Sequence, residues 1–448
     1  MTGDLQSGKM LNKSFRRGET MGYNYKREAR LITEVFKTKK IRARAIVPPI
    51  LTPTFVMYRI MIDDSESIDR VEKSIKHIAL KVSNVRKTAV HARFSANPLF
   101  IEFPAVEPRT LYWDDDRKIV PHTMVMGRGY QLGSGTDQVI DFRKTFHVLI
   151  GGMTGSGKSV MLQNLILSLT RGTGPGDLRL VLVDLKLDDL VPFRNLPHTA
   201  FFAGDEDAAE HAVEIVHDEL IRRRNSLTAK RPYRLVLVID ELSLLPDAAK
   251  ETLKKITSLG RSIWVNVIAA TQTPSAEVIG GTESRNNFTT RLGGRVADAT
   301  ASNIVLGRGE MGAQFLPGNG AFIRVEGPDV IRLQTFYTAP DVVESSVART
   351  ARMWANVTVA PVKGAETKIA QGAGKTKNPE PLIRSLDDVF REFFDGESMR
   401  DGWIAEAIRT RFGDAAALGG RNYPGQRDAV QSAFEEWIEE QNREREYA

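Results

Sequence analysis

The chain contains no cysteine. Disulfides, thiolate metal sites and a cysteine nucleophile are thereby excluded, and the composition suits a reducing compartment. Long apolar runs are also missing. The longest, such as Leu235 to Ile239, are short and end in charge, so no segment is expected to cross a bilayer, and no signal peptide is visible. The expected location is the cytoplasm, with any membrane recruitment left to a partner. An acidic excess is lacking as well. Lys and Arg number 62 against 56 Asp and Glu, a net charge of +6, which is compatible with a polyanionic partner. Metal-ligand spacings and internal repeats are absent. What remains is ordinary for a globular protein, 42% hydrophobic and 26% charged, and 448 residues are enough for two or three domains.

One stretch dominates what is present. In Thr145 to Thr170 an apolar run ends in a glycine-rich turn and a second apolar-periodic run follows. The turn reads Gly152-Met153-Thr154-Gly155-Ser156-Gly157-Lys158-Ser159, with Val160 next, and it satisfies the spacing G-x-x-x-x-G-K-[ST] of a phosphate-binding loop. Glycines let the backbone curl so that successive N–H groups face an anion. The helix opening at Lys158 adds its unpaired N–H groups and its dipole. Lys158 is expected on the β- and γ-phosphates of ATP, and Ser159 on Mg²⁺. The setting, predicted strand before and predicted helix after, is the one the motif requires.

A second apolar strand, Arg234 to Ile239, ends in Asp240-Glu241. An Asp there, beside the loop, suits the Mg²⁺ shell, and a following Glu suits the attacking water, which turns a nucleotide binder into a hydrolase. The next predicted strand, Ile263 to Ala270, ends in Thr271-Gln272, where Gln272 can sense the γ-phosphate. Strands alternating with helices predict a parallel sheet with right-handed crossovers.

Around this core the chain divides by composition. Residues 1–47 are basic, with Lys9, Lys13, Arg16, Arg17 and others facing few acids, and one helix is expected from Tyr25 to Phe36. They read equally as a solvated tail or as a nucleic-acid-binding arm. Residues 48–110 show strand alternation in Thr54 to Ile62, helical spacing from Val71 to Val82 and two more strands, a small α/β module. Residues 111–345 are the ATPase core, opening on a hairpin in Met124 to Phe142 and closing on another in Gly320 to Tyr337. Residues 346–381 are read as a linker, with Lys363 to Pro381 rich in Gly, Ala, Lys and Pro. Residues 382–448 are expected to form a small helical domain around a stripe of Val430, Phe434, Trp437 and Ile438.

The order of these pieces resembles the FtsK/SpoIIIE-type DNA translocases, in the additional-strand branch of P-loop ATPases. The likeness runs from about Thr54 to Pro340. It includes GRGYQLGSGTDQVIDFRKTFHVLIGGMTGSGKS, with a histidine opening the loop strand, then LVLVDLKLDDLVPFRNLPH, then HDELIRRR, and the Ala270-Thr271-Gln272 strand end. The resemblance implies a RecA-like P-loop ATPase core with a mainly parallel sheet, preceded by a small α/β domain and followed here by a small helical one. It implies a homo-oligomeric ring of six subunits with ATP between neighbours, acting on double-stranded DNA. Arg261 matches the family's arginine ahead of the glutamine strand, implying a finger on the neighbour's γ-phosphate. The family's pore-loop arginine is Thr273 here, so Arg285 becomes a DNA-contact candidate, and Arg291 matches the family arginine in TTR. With no counterpart expected for the family's membrane-spanning N-terminus or for its insertion before the Asp240 strand, the resemblance is to compact relatives of plasmids, integrated elements or phages.

Two other functions stay open on sequence alone. The loss of arginine at Thr273 and the Glu-rich final helix favour a coupling or secretion ATPase of the same superfamily that moves or recruits protein, with the C-terminal domain as its contact. A nucleotide-dependent switch that only binds partners is the third reading, and Glu241 weighs against it.

Overall fold

The structure, a computed structural model, describes residues 23–365 except 66, 97–98, 131–134, 226–232, 310 and 360, together with Phe390, Val430, Gln431 and Phe434. For Ser95, Ala96, Arg261, Ser262, Thr282 and Glu283 it describes the backbone alone. The chain forms two compact units, Met1–Lys368 and Ile369–Ala448.

The first unit holds two sheets. The smaller begins with helix α1 (Tyr25–Thr38), started by the Asn24 side chain, which accepts the Arg27 N–H. Ala29, Ile32, Val35 and Phe36 recur on one face of α1 and are buried. They pack on Val56, Tyr58 and Ile60 of the sheet. That sheet contains β1 (Ala43–Ala45), β2 (Ile50–Leu51), β3 (Phe55–Ile62), β4 (Arg93–Ala96) and β5 (Leu99–Pro104), in the order β1-β3-β5-β4 with β2 also on β3. Helices α2 (Ser67–Glu72) and α3 (Ile75–Arg86) connect β3 to β4. The small module therefore starts at α1, not at Pro48. The basic residues of 25–45 sit on a helix and a strand whose apolar faces belong to this core, which corrects the boundary expected at 47.

The larger sheet follows in the chain: β6 (Thr123–Gly129), β7 (Thr136–Asp141), β8 (His147–Gly151), α4 (Lys158–Gly172), β9 (Leu178–Val183), β10 (Thr199–Ala203), α5 (Glu206–Asn225) and β11 (Arg234–Ile239). Next come α6 (Asp247–Leu259), β12 (Val265–Thr271), α7 (Gly281–Asn287), β13 (Thr290–Gly293), α8 (Ala299–Leu306), β14 (Ala321–Glu326), β15 (Asp329–Thr335) and α9 (Pro340–Met353). Its ten strands run β10-β9-β11-β12-β8-β13-β14-β15-β6-β7. The first six are mutually parallel and the rest pair antiparallel. This is a mixed α/β fold with a large, mainly parallel sheet, and β12 is the additional strand between the loop strand β8 and β11.

Burial on both faces explains the unbroken apolar strands. Leu178, Leu180 and Leu182 of β9, with Val236 and Val238 of β11, face the core around α4. Val181, Val183, Leu235, Leu237 and Ile239 alternate to the opposite core, under α5 and α6. Helix α4 is buried over Met161, Leu162, Leu165, Ile166, Leu167 and Leu169, so the element that opens on the phosphate loop is also the centre of the first core.

The linker expected from residue 346 is also corrected. It would cut α9, which buries Val343, Ser346, Thr350 and Ala351. Ser346 donates to Asp115, and Trp354 Nε1 donates to the Thr170 carbonyl. Val362 and Ala365 are likewise buried, in the core under α5. Of the second unit, Phe390 and Val430 are buried, and the Phe390 and Phe434 rings meet edge to face at 5.3 Å. The remainder of the helical domain expected over 382–448, and all of the stretch Lys363 to Pro381 beyond Ala365, lie outside the described residues.

Candidate nucleotide site

Parallel strands deliver their carboxyl ends to one edge, and ligands of open α/β sheets bind along that edge. Gly152 follows β8 and donates its N–H to the Thr271 carbonyl at the end of β12. The loop then turns through Gly155 and Gly157, both at positive φ, 78° and 93°. Gly157 is obligatory for a second reason: a Cβ there would lie 2.7 Å from the Gly320 nitrogen. The loop's own carbonyls are occupied, Gly155 accepting from Asn319 N–H at 3.0 Å and Ser156 from Gly320 N–H at 2.9 Å. Ser156 is fully buried, while Met153, Thr154 and Gly155 are exposed.

Lys158 is 4% exposed and donates to Asp240 Oδ1 at 2.6 Å and to the Asp240 carbonyl at 3.0 Å. Asp240 itself is 2% exposed. A buried ammonium costs on the order of several kcal/mol unless it is paired, and Asp240 at the end of β11 supplies that pairing. Glu241 is buried and accepts from the Thr271 hydroxyl at 2.9 Å, the Ser243 hydroxyl at 2.7 Å, the Gln272 N–H at 3.0 Å and the Lys186 ammonium at 3.3 Å. Gln272 in turn accepts from the Thr154 hydroxyl at 3.3 Å. Loop, β11 and β12 are thus stitched into one polar cluster by the residues the sequence singles out.

The cluster contains members that the sequence reading passed over. Asp189, from the loop after β9, lies 3.9 Å from the Lys158 ammonium. Burial, and next the Asp240 charge, push its carboxyl up to about 7, against the opposing pull of the Ser159 hydroxyl and Lys158. Asp184, at the end of β9, accepts N–H groups from Lys186, Asp188 and Leu190 and so shapes that loop. Burial raises the Asp184 carboxyl as well. The available signal was three acids and a lysine, Asp184-Leu-Lys186-Leu-Asp188-Asp189, directly after a buried strand. Beyond the loop, Thr54, just before β3, donates to Gln334, whose amide donates to the Asn319 carbonyl, one residue from the Gly320–Ser156 bond. A hydrogen-bonded chain therefore joins the small module to the phosphate loop.

Other expected residues lie apart. Arg261 belongs to the short 3-10 turn Gly260–Ile263 at the amino end of β12, and its side chain is outside the described ones. Arg285 is half-buried near the end of α7. Arg291, on β13, spends its guanidinium on the carbonyls of Phe288, Leu306 and Arg285. Its close approach to Gly307, at φ 70°, leaves no room there for a Cβ. Those bonds end α8 and fold the turn before β13, so Arg291 has a structural explanation. His147, the histidine opening the loop strand, accepts the Val267 N–H through Nδ1 at 3.1 Å, and burial lowers its ring to about 4. It therefore ties β8 to β12 as a neutral ring. A cavity of about 470 Å³ opens at the other end of the sheet, beside Arg117, Val139, Thr145, Arg324 and Glu326, away from this chemistry.

The donor set suits Mg²⁺ shared with a nucleotide: carboxylate and hydroxyl oxygens, with no thiolate. Among the described residues no group of three or more His, Cys, Asp or Glu forms a protein-only metal cage. Magnesium normally takes one or two carboxylates and completes its shell with phosphates and water. No helix among the described residues is long and apolar enough to cross a membrane.

Residues 109–276 match the FtsK/SpoIIIE family model. The chain is 33% identical over 229 residues to the DNA translocase SftA of Bacillus subtilis, covering 43% of this chain and 24% of that protein. It is 26% identical over 331 residues to the DNA translocase FtsK of Borreliella burgdorferi, covering 67% of this chain and 41% of that one. The chain thus spans well under half the length of these relatives. Among solved structures, the pCW3 conjugation coupling protein TcpA, in its monomer form with ATPγS, aligns at 21% identity and TM-score 0.48, covering 72% of this chain and 99% of that chain. EssC (ATPases 2 and 3) of Geobacillus thermodenitrificans aligns at 19% identity and TM-score 0.49, covering 56% and 53%. The matched segment contains the phosphate loop, Asp240, Glu241 and Gln272, and over those residues the chain carries an FtsK/SpoIIIE-family domain.

Proposed function

We propose that this chain is an ATP-hydrolysing motor that moves double-stranded DNA, working as a ring of six with a nucleotide at each junction. The observation that carries the reading is the convergence of Lys158, Asp240, Glu241 and Gln272 at the carboxyl ends of three adjacent strands. The DNA substrate is carried over from the relatives named DNA translocases, and the positive net charge is compatible with it.

In this reading Lys158 leaves Asp240 for the β- and γ-phosphates of ATP, and the N–H groups of Gly155 to Ser159 enclose them. Ser159 and Asp240 hold Mg²⁺, which when bound offsets phosphate charge. Glu241 orients the attacking water and accepts its proton, a role that requires loosening its bonds to Ser243, Thr271 and Lys186. Gln272, which touches both Thr154 and Glu241, reports loss of the γ-phosphate. Arg261 supplies the second cation to a neighbour's site, and Arg285 contacts the DNA backbone. The protein acts in the cytoplasm, with residues 382–448 available to a protein partner or to membrane recruitment.

The test is ATP turnover by the purified full chain with and without duplex DNA. Stimulation by DNA that weakens with salt is expected, because phosphate contacts release counterions. Turnover indifferent to DNA but raised by a protein substrate would replace this reading with the protein-moving one. Subunit mixing tests the ring. Arg261→Ala and Lys158→Ala chains are each expected to be inactive, with Arg261→Ala slowed by roughly 10³-fold or more. Partial recovery on mixing is expected, and mixtures that exchange subunits yet stay inactive would remove Arg261 from the trans position.

A further inference from the structure

We propose that Asp189 is a third protein group of the Mg²⁺–nucleotide site, beside Asp240 and the Lys158 ammonium. The inference rests on the nucleotide reading above and adds to it a residue from outside both sequence motifs.

Charge counting leads to it. Lys158 carries one positive charge and has Asp240 at 2.6 Å and Asp189 at 3.9 Å. The shorter contact is a charge-assisted hydrogen bond and already pairs the ammonium, while the longer one is beyond hydrogen-bonding distance. Asp189 is therefore not needed to hold the lysine. Its side chain is nonetheless only 13% exposed. When phosphate draws Lys158 away, two carboxylates remain in one largely buried space beside the Ser159 hydroxyl. Such a pair is stable only with a cation or a shared proton between them. A divalent cation that also contacts phosphate supplies what is missing, and two carboxylates are within the number Mg²⁺ accepts.

The position of Asp189 is set by the fold. Gln163 of α4 donates to the Asp189 carbonyl at 3.0 Å. The following residue, Leu190, is fully buried and donates its N–H to Asp184 at 2.8 Å. The backbone at Asp189 is thus anchored from both the phosphate-loop helix and the end of β9. Its neighbour Asp188 is exposed and serves as the control.

The experiment measures binding of a fluorescent ATP analogue to the full chain, in Mg²⁺ and in EDTA, alongside retention of Mn²⁺ by the nucleotide-bound protein in electron paramagnetic resonance. Asp189→Asn is expected to lose about tenfold to 100-fold of the affinity that Mg²⁺ adds, the range for groups that support a metal site. Its binding in EDTA is expected to be unchanged or tighter, since a negative charge near the phosphates has gone. Mn²⁺ retention should fall in parallel, Asp189→Glu should recover part of it, and Asp188→Asn should match the parent. A full Mg²⁺ increment in Asp189→Asn, or an equal loss with and without metal, would overturn the proposal; the second result would assign Asp189 to loop folding. Lys158→Ala separates the two levels. If it binds nucleotide normally, the nucleotide reading fails. If it loses binding while Asp189→Asn keeps its increment, only the role of Asp189 fails.

Discussion

Glu102 of the small sheet and Asp240 of the large one are 3% and 2% exposed, and each lies against a cation. Glu102 accepts from Arg93 at 2.7 Å and from Arg332 at 2.9 Å. Glu28 is held similarly, by two nitrogens of Arg86 and by the Tyr23 hydroxyl. All of these partners sit on strands or helices or are packed beneath them. At the edge of the large sheet, Lys158 leads out of a loop whose apex is exposed, and the Lys186 that meets Glu241 has a side chain 36% exposed. Burial and pairing are therefore common to both regions. What distinguishes the nucleotide edge is that each pair includes a group on a loop or strand end, which a ligand can draw away. The paired charges of the small sheet fix a core, whereas those at the edge can be redistributed.

The largest expected effects test that distinction at the edge. Lys158→Ala should abolish measurable nucleotide binding while the chain keeps its fold, shown by an unaltered far-ultraviolet circular dichroism spectrum. Glu241→Gln should still bind ATP but hydrolyse it roughly 10²- to 10⁴-fold more slowly, the usual contribution of a positioned general base. If Lys158→Ala instead unfolds the protein, the lysine is a core ion like Arg93 and the comparison collapses. Normal turnover in Glu241→Gln would remove that residue from the chemistry.

Next in size is the core pair. Glu102→Ala leaves Arg93 and Arg332 buried without their acid, and loss of one partner of a buried ion pair costs about 3–5 kcal/mol. Urea unfolding measures it. Arg332 lies on β15 and Glu102 on β5, so the loss should loosen the small module from the large sheet. A cost under about 1 kcal/mol, the value of a surface pair, would mean that these charges are solvated in practice. A smaller effect is expected at the junction that joins the two regions. Gln334→Ala breaks the chain from Thr54 to Asn319 and should cost about 1–2 kcal/mol, the range for losing a buried hydrogen-bond partner. It should also weaken nucleotide binding a few-fold, because Asn319 and Gly320 brace the phosphate loop. Unchanged nucleotide affinity at the reduced stability would confine Gln334 to packing.

Legibility in the sequence follows the same division. β8, β9, β11 and β12 are visible because burial on both faces makes them continuous apolar runs, and the phosphate loop and Asp240-Glu241 are visible because their spacing is local. The short strands β10 and β13 are not legible in this way, one starting at Thr199 and the other carrying Arg291 between a threonine and a leucine. The end of α9 resembles a linker in sequence because Ser346 and Thr350, polar residues, occupy its buried face; their hydroxyls are satisfied by Asp115 and by the Ser346 carbonyl. Asp189 carries no sequence signal of its role, since its meeting with Lys158 depends on how β9 lies beside β11. The same holds for Thr54, whose partner Gln334 is 280 residues away.

The smallest expected effect, nil at neutral pH relative to the charge already present, is the pH dependence of the core pair. Burial alone would raise the Glu102 carboxyl, but Arg93 and Arg332 outweigh it, and the group lies below its ordinary value of 4.5. Below that value the unfolded chain binds the proton while the folded chain still refuses it. The stability Glu102 contributes is thus complete above about 4.5 and is lost as pH falls through the lower, folded value. Glu102→Gln imitates the protonated form at every pH. The urea midpoints of parent and variant should therefore differ by a constant gap from about pH 7 down to about pH 5, and the gap should narrow steadily below that. Asp115, held low first by the Ser346 hydroxyl and then by Arg171, and Asp141 and Glu219, held low by their own arginines, titrate in both proteins and cancel in the difference. A gap that stays constant into strong acid would show that the glutamine's shape, and not the missing charge, accounts for the loss.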